Sequence, residues 1–391
     1  MKGLWRKLMP FASDTNGAAS VFAASPALVA ALDSNGSVST LRRVIDVSAG
    51  KADYETVDLP ELAYASGDQG AFVACIASMF GELRSRALSL HQQLPEFIVL
   101  LNAPVSSLLG IDIKSMAHEL EERVGVSVLS VETTGNRFYD RGVEQAYLEV
   151  CACGKQEAER QPGAVNIIGA TELDWPGQTV IGQVKEHLAA DGRAVISDFG
   201  ATDSLAQWCE IYAAEENLVV STSGLKAVRL MERQAGIPYR VLSETDWFES
   251  WTDGLGPVAG KVLVIGEQVQ ANLIRRLLNR CGDVHVDVGT FFIMDKQLKQ
   301  ENDVKFSGEQ HAREVIGEGD YDFVIADEAL GHIVRSAFIP LMHPPVGFGA
   351  RDGSELSKGW LADAVSTMQD SIANARQPIK KHTAQAWDFS I

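Results

Sequence analysis

The stretch Thr133-Thr134-Gly135-Asn136-Arg137-Phe138-Tyr139-Asp140-Arg141-Gly142 is the most unusual in the chain. It follows an apolar run, residues 126–131, and sets two arginines, a tyrosine and an aspartate in a glycine-bracketed loop. The planar guanidinium of Arg137 can grip a carboxylate or phosphate through two parallel hydrogen bonds, so Thr134, Gly135, Arg137 and Asp140 form a candidate binding loop. The alternative is a turn whose charges pair internally, Arg137 or Arg141 with Asp140. Of the eight histidines, His332 and His343 stand out because both sit in loops after the apolar run 323–326. In Leu341-Met342-His343-Pro344-Pro345, His343 can supply an imidazole to a metal or an acid–base group to a substrate.

Other chemistry-bearing patterns are weaker. Cys151-Ala152-Cys153 is the one close cysteine pair; it could hold a metal, yet no second Cys/His pair sits at zinc spacing, so two small buried residues at a helix end are the plainer reading and no metal ligand is assigned. The run 262–266 ends in glycine like a nucleotide-binding strand. It continues as Glu267-Gln268-Val269-Gln270, which puts a carboxylate where a pyrophosphate would sit. No G-x-x-x-x-G-K-[ST], G-x-S-x-G or H-E-x-x-H occurs.

The elements that must position these residues belong to a soluble α/β protein. The chain has 391 residues, 46% hydrophobic and 22% charged, which excludes disorder, collagen and coiled coil as the main architecture. Acidic residues outnumber basic ones by 52 to 34, a formal charge of -18 that repels phosphate backbones and anionic lipids; neither nucleic acid nor membrane is an expected partner. The apolar stretch 21–32 is broken by Pro26 and is too short to span a bilayer. Ser13-Asp14-Thr15-Asn16 breaks a would-be signal core, and five cysteines do not make a disulfide framework, so the expected location is the cytoplasm.

Short Val/Ile runs alternate with amphipathic helices. Strands are expected at 97–101, 126–131, 165–169, 194–197, 217–221, 261–266, 284–288 and 323–326. Helices are expected at 113–124, 178–190, 203–214 and 354–375, and from 266 to about 280. Continuous apolar strands alternating with helices mean parallel sheets covered on both faces. Breaks at 154–163 and 254–260 divide the chain into three Rossmann-like units: 1–162 together with a returning C-terminal helix (354–391), 163–257, and 258–353.

In their order, these segments resemble the nitrogenase component 1 family. FIVLLNAPVSSLLGIDIKSMAHELEERVGVSVLSVETTGNRFYDRG carries the likeness first. VNIIGATELDWPGQ, NLVVSTSGLKAVRLMERQAGIPY, GKVLVIGEQVQANLIRRLLNRCG and IPLMHPPVGFGARDG follow in family order. The resemblance implies three parallel α/β domains, with the Thr134–Asp140 loop, Ser221 after the strand ending at Val220, and the His343 loop lining the cleft where they meet.

The departures from the family pattern are as informative. Family members bridge an iron–sulfur cluster between two subunits with cysteines of the first domain. The matching places here read Gly17-Ala18-Ala19-Ser20, Gly36-Ser37 and Ala103-Pro104, and the cofactor cysteine of catalytic subunits would fall near Val220-Ser221. Oxygen and methyl groups cannot replace thiolate as cluster ligands. No cofactor is therefore expected on this chain alone; an iron–sulfur cluster or metallocofactor would be shared with a partner subunit. Two readings follow. The chain is a non-cluster-ligating subunit of a heteromeric nitrogenase-like oxidoreductase fed by an ATP-dependent iron–sulfur reductase, its partner a homologous subunit or a second copy. Alternatively it is a non-redox scaffold or binding protein that holds a metallocofactor, tetrapyrrole or small molecule between its domains.

Overall fold

The structure is a computed structural model and describes residues 8, 11–33, 52–199, 204–243, 246–341 and 356–375. Its strands form three sheets with parallel pairing throughout. The first holds β1 (Ala27–Leu32), β2 (Asp53–Thr56), β3 (Phe97–Asn102) and β4 (Val128–Val131) in the order β2-β1-β3-β4. The second holds β5 (Ala164–Ile168), β6 (Ala194–Ser197), β7 (Glu216–Val219) and β8 (Tyr239–Val241) in the order β6-β5-β7-β8. The third holds β9 (Val258–Ile265), β10 (Gly282–Thr290), β11 (Val304–Lys305), β12 (Phe323–Ala326) and β13 (Ala337–Pro340) in the order β11-β10-β9-β12-β13. In each sheet the strand order reverses next to the first strand, and ligands of open parallel sheets bind beyond the carboxyl ends at such reversals.

The helices of the first unit are α1 (Asp14–Val21), α2 (Glu61–Ser66), α3 (Gln69–Leu90), α4 (Pro104–Leu108), α5 (Ile113–Val124) and α6 (Tyr139–Cys153). Those of the second are α7 (Thr179–Ala190), α8 (Leu205–Cys209), α9 (Leu225–Ala235) and α10 (Glu249–Thr252). The third has α11 (Gln268–Cys281) and α12 (Glu309–Glu318), and α13 (Lys358–Ala375) closes the described chain. Helix α5 shows how sequence sets bounds: Asp112 accepts the Lys114 and Ser115 N–H groups at its start, left-handed Gly125 ends it, and Ile113, Met116, Ala117 and Leu120 bury one stripe. Among the described residues, no helix is long and apolar enough to cross a membrane.

Alternating strand residues feed different cores. Phe97, Val99 and Leu101 of β3, Ile168 of β5, Leu263 and Ile265 of β9 and Val324 of β12 enter one central core common to the three sheets. Val165, Ile167, Val262, Val264, Phe323 and Ile325 face a second core shared by the second and third sheets, while Ile98 and Leu100 pack in a third, private to the first. Both faces of β3, β5, β12 and the second half of β9 are thus buried, which is why these runs read as continuous Val/Ile/Leu.

The last helix, expected against the first unit, packs elsewhere. Trp360, Leu361, Ala364, Val365 and Met368 of α13 belong to the core of the second and third sheets, beside Trp251 of α10. Trp360 Nε1 donates to the Pro340 carbonyl at 2.9 Å, and Gln369 Nε2 to that of Pro257 at 3.3 Å. The first sheet offers no such seat, because α3 and α5 already cover that face with Phe72, Ile76, Phe80, Met116 and Leu120. The helix expected over 203–214 is also shorter: α8 is capped by Ser204 and ends at Cys209. The carbonyls of Cys209, Ile211, Tyr212 and Ala213 instead take hydrogen bonds from Lys155 N, Asn166 Nδ2, Arg160 and Gln161 N, so no helical partners are needed.

Candidate functional site

The Thr133–Gly142 stretch is a loop only in its first half. From Tyr139 it is α6, so Asp140 and Arg141 lie in a helical first turn. Where α6 crosses α1, Gly142 and Gly17 let the backbones touch: a Cβ on Gly142 would overlap the Asp14 carbonyl, and one on Gly17 that of Tyr139.

The first half is fixed on Asp14, whose side chain is wholly buried. One carboxylate oxygen, Oδ2, accepts Thr134 N at 2.9 Å, Thr134 Oγ1 at 3.1 Å and Arg137 Nε at 2.9 Å; a further fork nitrogen, Arg137 Nη2, donates to the Glu132 carbonyl at 3.2 Å. Arg137 therefore pairs with Asp14, neither with Asp140 nor, along that edge of its fork, with a ligand. Gly135, at φ +67°, abuts Pro104 so closely that a Cβ would overlap its ring. The loop thus lies beside α4, where Val105, Leu108 and Leu109 are exposed, Leu108 by 87%.

The second half enters the place where the three units meet. Tyr139 Oη donates to Asp174 Oδ1 at 2.5 Å, and Asp140 Oδ2 accepts the Ile293 N–H at 2.6 Å. Asp174 Oδ2 also receives Ser223 Oγ and Thr171 Oγ1, each at 3.4 Å. Ser221 is buried, and its hydroxyl lies 3.0 Å from that of Ser223. Glu267 caps α11 by accepting Gln270 N at 2.9 Å and takes Thr222 N at 2.8 Å, so the protein's own carboxylate occupies the anion position at this helix start. Burial pushes the Asp140 carboxyl up to about 7, against the Ile293 N–H that favours its anion. Asp174 is raised by burial and by the charge of Glu267, and Glu267 is raised by burial against its backbone donors. The cluster can hold protons near neutral pH. Phe11, Phe138, Phe291 and Phe292 fill the adjoining space with ring centroids 4.9–5.8 Å apart.

Beside this junction opens a pocket of about 410 Å³ between α6, α9 and the segment after β10, lined by Arg141, Glu144, Thr222, Leu225, Lys226, Arg229, Arg233, Ile293 and Asp295. Arg141 contacts Glu144 at 3.4 Å and Lys226 reaches the same carboxylate oxygen at 3.6 Å. Arg229 pairs with Asp295 at 2.7 Å. The α9 cations were not among the sequence candidates; their signal was the spacing 226, 229, 233 on one helix face. His332 lines a separate groove with Arg313 and Arg335. His343 lies outside the described residues.

These residues do not fit a sulfur-ligated cluster. Ala19 and Ala18 are fully buried in the central core, where a sulfur would face packed side chains, and Ala103 is buried at the end of β3. The five cysteines are free thiols. Burial pushes Cys151 and Cys153 up to about 12, so neither presents a thiolate at neutral pH. Cys75 contacts Met79 at 3.8 Å. Gly36-Ser37 lies outside the described residues.

Three doubly wound parallel sheets that meet at a buried junction define the class: an α/β protein with the nitrogenase component 1 fold. The solved structure of nitrogenase Cp1 at pH 6.5 superposes with a TM-score of 0.70 at 13% identity, over 97% of this chain and 96% of that one. That of nitrogenase Cp1 at pH 5 gives 0.61 at 11% identity, over 97% and 92%. Residues 89–248 match the family model described as Nitrogenase component 1 type Oxidoreductase. No curated protein matches it in sequence.

Proposed function

We propose that this chain is the non-cluster-ligating subunit of a heteromeric nitrogenase component 1-like reductase, working in a reducing cytoplasm with a homologous sister chain and an ATP-dependent iron–sulfur reductase. The observation that carries the reading is the apolar ridge Val105, Leu108 and Leu109. It directly follows Ala103-Pro104, where the family resemblance places a bridging ligand: the docking face is kept while the ligand is gone. Exposed leucines clustered on one short helix are costly in water and suit a subunit interface. Thr134, Gly135 and Arg137 flank that ridge and serve the interface; Asp140 and Ser221 belong to the junction. The units 1–162, 163–257 and 258–353 act as its three domains.

Anaerobic co-purification with the products of neighbouring genes tests this. The expected result is a heteromer whose iron stays with the sister chain, split by Leu108→Glu/Leu109→Glu with the melting temperature of this chain unchanged. A chain that remains monomeric beside a cysteine-complete paralogue overturns it. The second reading, a non-redox scaffold or binding protein, is favoured by the junction's donor set, which offers buried oxygens and no thiolate; a ligand-loaded complex without iron supports it.

A further inference from the structure

We propose that the pocket between α6, α9 and residues 291–297 binds a small, multiply charged oxyanion. This does not rest on the subunit reading, since the pocket and the α4 ridge are separate surfaces. The chain as a whole carries a charge of -18, a field that repels anions. Yet here four cations, Arg141, Lys226, Arg229 and Arg233, face two carboxylates, Glu144 and Asp295.

The carboxylates do not use up the cations. Arg229 is held as a wall: Nη2 pairs with Asp295 at 2.7 Å and Nε donates to the Tyr239 hydroxyl at 3.3 Å. Arg141 and Lys226 share the single carboxylate of Glu144 at 3.4 and 3.6 Å, longer than a tight ion pair. Arg233 has no ion pair among the described residues. Lys305 stands near enough that, after its own burial, the charge of Arg141 is the next cause lowering its pKa, with the Asp140 carboxylate opposing it as the third acid against these five cations. Cations crowded this way, with too few counter-charges, are stabilised by a bound anion.

The geometry selects the ligand class. Guanidinium forks pair with the oxygens of a carboxylate or a phosphoryl group, while Lys226 adds a mobile point charge. Leu225 and Ile293 form an apolar wall that strengthens each charge contact. A volume of about 410 Å³ lies within the range of small-molecule sites. A single negative charge would leave the excess uncancelled, so the ligand carries two or more: a phosphate or phosphate ester, or a di- or tricarboxylate.

The test titrates the full chain with inorganic phosphate and, separately, with citrate, against sodium chloride of matched ionic strength, by calorimetry and thermal shift. One saturable site per chain is expected, and the tighter of the two probes names the source of the oxyanion. Lys226→Gln/Arg233→Gln, two exposed side chains, should weaken that site at least tenfold and leave the ligand-free melting temperature unchanged. Arg141→Gln should weaken it independently. Stabilisation equal to that by matched chloride, or binding unaltered in the double variant, overturns the proposal.

Discussion

Arg137 and Asp14 stand 123 positions apart in sequence and are joined by a 2.9 Å bond from Nε to Oδ2. The pair sews the loop after β4 to the start of α1, and its two partners are unequal: the aspartate side chain is wholly buried, the arginine half exposed.

That inequality predicts a stability effect and no binding effect. Arg137→Ala should cost about 1–2 kcal/mol, at the lower end for a hydrogen bond to a charged group because the arginine is half in water. Urea denaturation measures the loss. The oxyanion titration should be unchanged, because Arg137 is outside the basic pocket.

The junction acids predict a pH dependence of defined sign. The folded Asp140 carboxyl is raised from 3.8 to about 7, and Asp174 and Glu267 are raised as well. Between the unfolded and folded values the native state holds protons that the unfolded chain has released. For Asp140 that contribution to stability is therefore complete below about pH 4 and is lost as pH rises through about 7. Asp140→Asn should flatten the fall in unfolding free energy between pH 5 and pH 8, as read from urea midpoints. An unchanged slope in that variant would show that Asp140 is ionised when folded.

The seat of α13 is checked by Trp360→Ala, a large-to-small change in a packed core that should cost about 3–5 kcal/mol. Hydrogen exchange should then speed up at β9 and β13 while β3 keeps its protection. Loss of protection confined to β3 would place α13 on the first sheet after all.

At the crossing of α1 and α6, Gly142→Ala adds a methyl group where the Asp14 carbonyl already stands. The helices must part, at a cost of about 1–3 kcal/mol or more for overpacking. Because Asp14 moves with α1, the same variant should make Arg137 more accessible, a change that arginine-selective labelling reports.

Where local pattern governs, the sequence sufficed. The apolar run Phe97–Leu101 became β3, and the stripe Met116, Leu120 with Asp112 and Gly125 at its ends became α5. The start of α6 was hidden because its capping residue is Phe138, which makes no side-chain cap, so nothing polar announced a helix at Tyr139. The partner of Arg137 was hidden for another reason: Asp14 reaches it only through the crossing of α1 and α6, a long-range contact. The pocket cations at 226, 229 and 233 were visible as a stripe, but a charged stripe ordinarily faces water. Only the approach of α6 and the 291–297 segment turns it into a cavity wall.

The alternation of strand residues between two cores also limits how this chain can change in length. In β9, Leu263 and Ile265 serve the central core while Val262 and Val264 serve the neighbouring one. Inserting or deleting one residue within β9 would swap the two sets and move each side chain beyond that point into the wrong compartment. Substitutions among Val, Ile and Leu leave that allocation intact. Divergence of this chain by changes in length is therefore confined to the segments between strands, and the strands themselves can drift in composition while their residue count stays fixed.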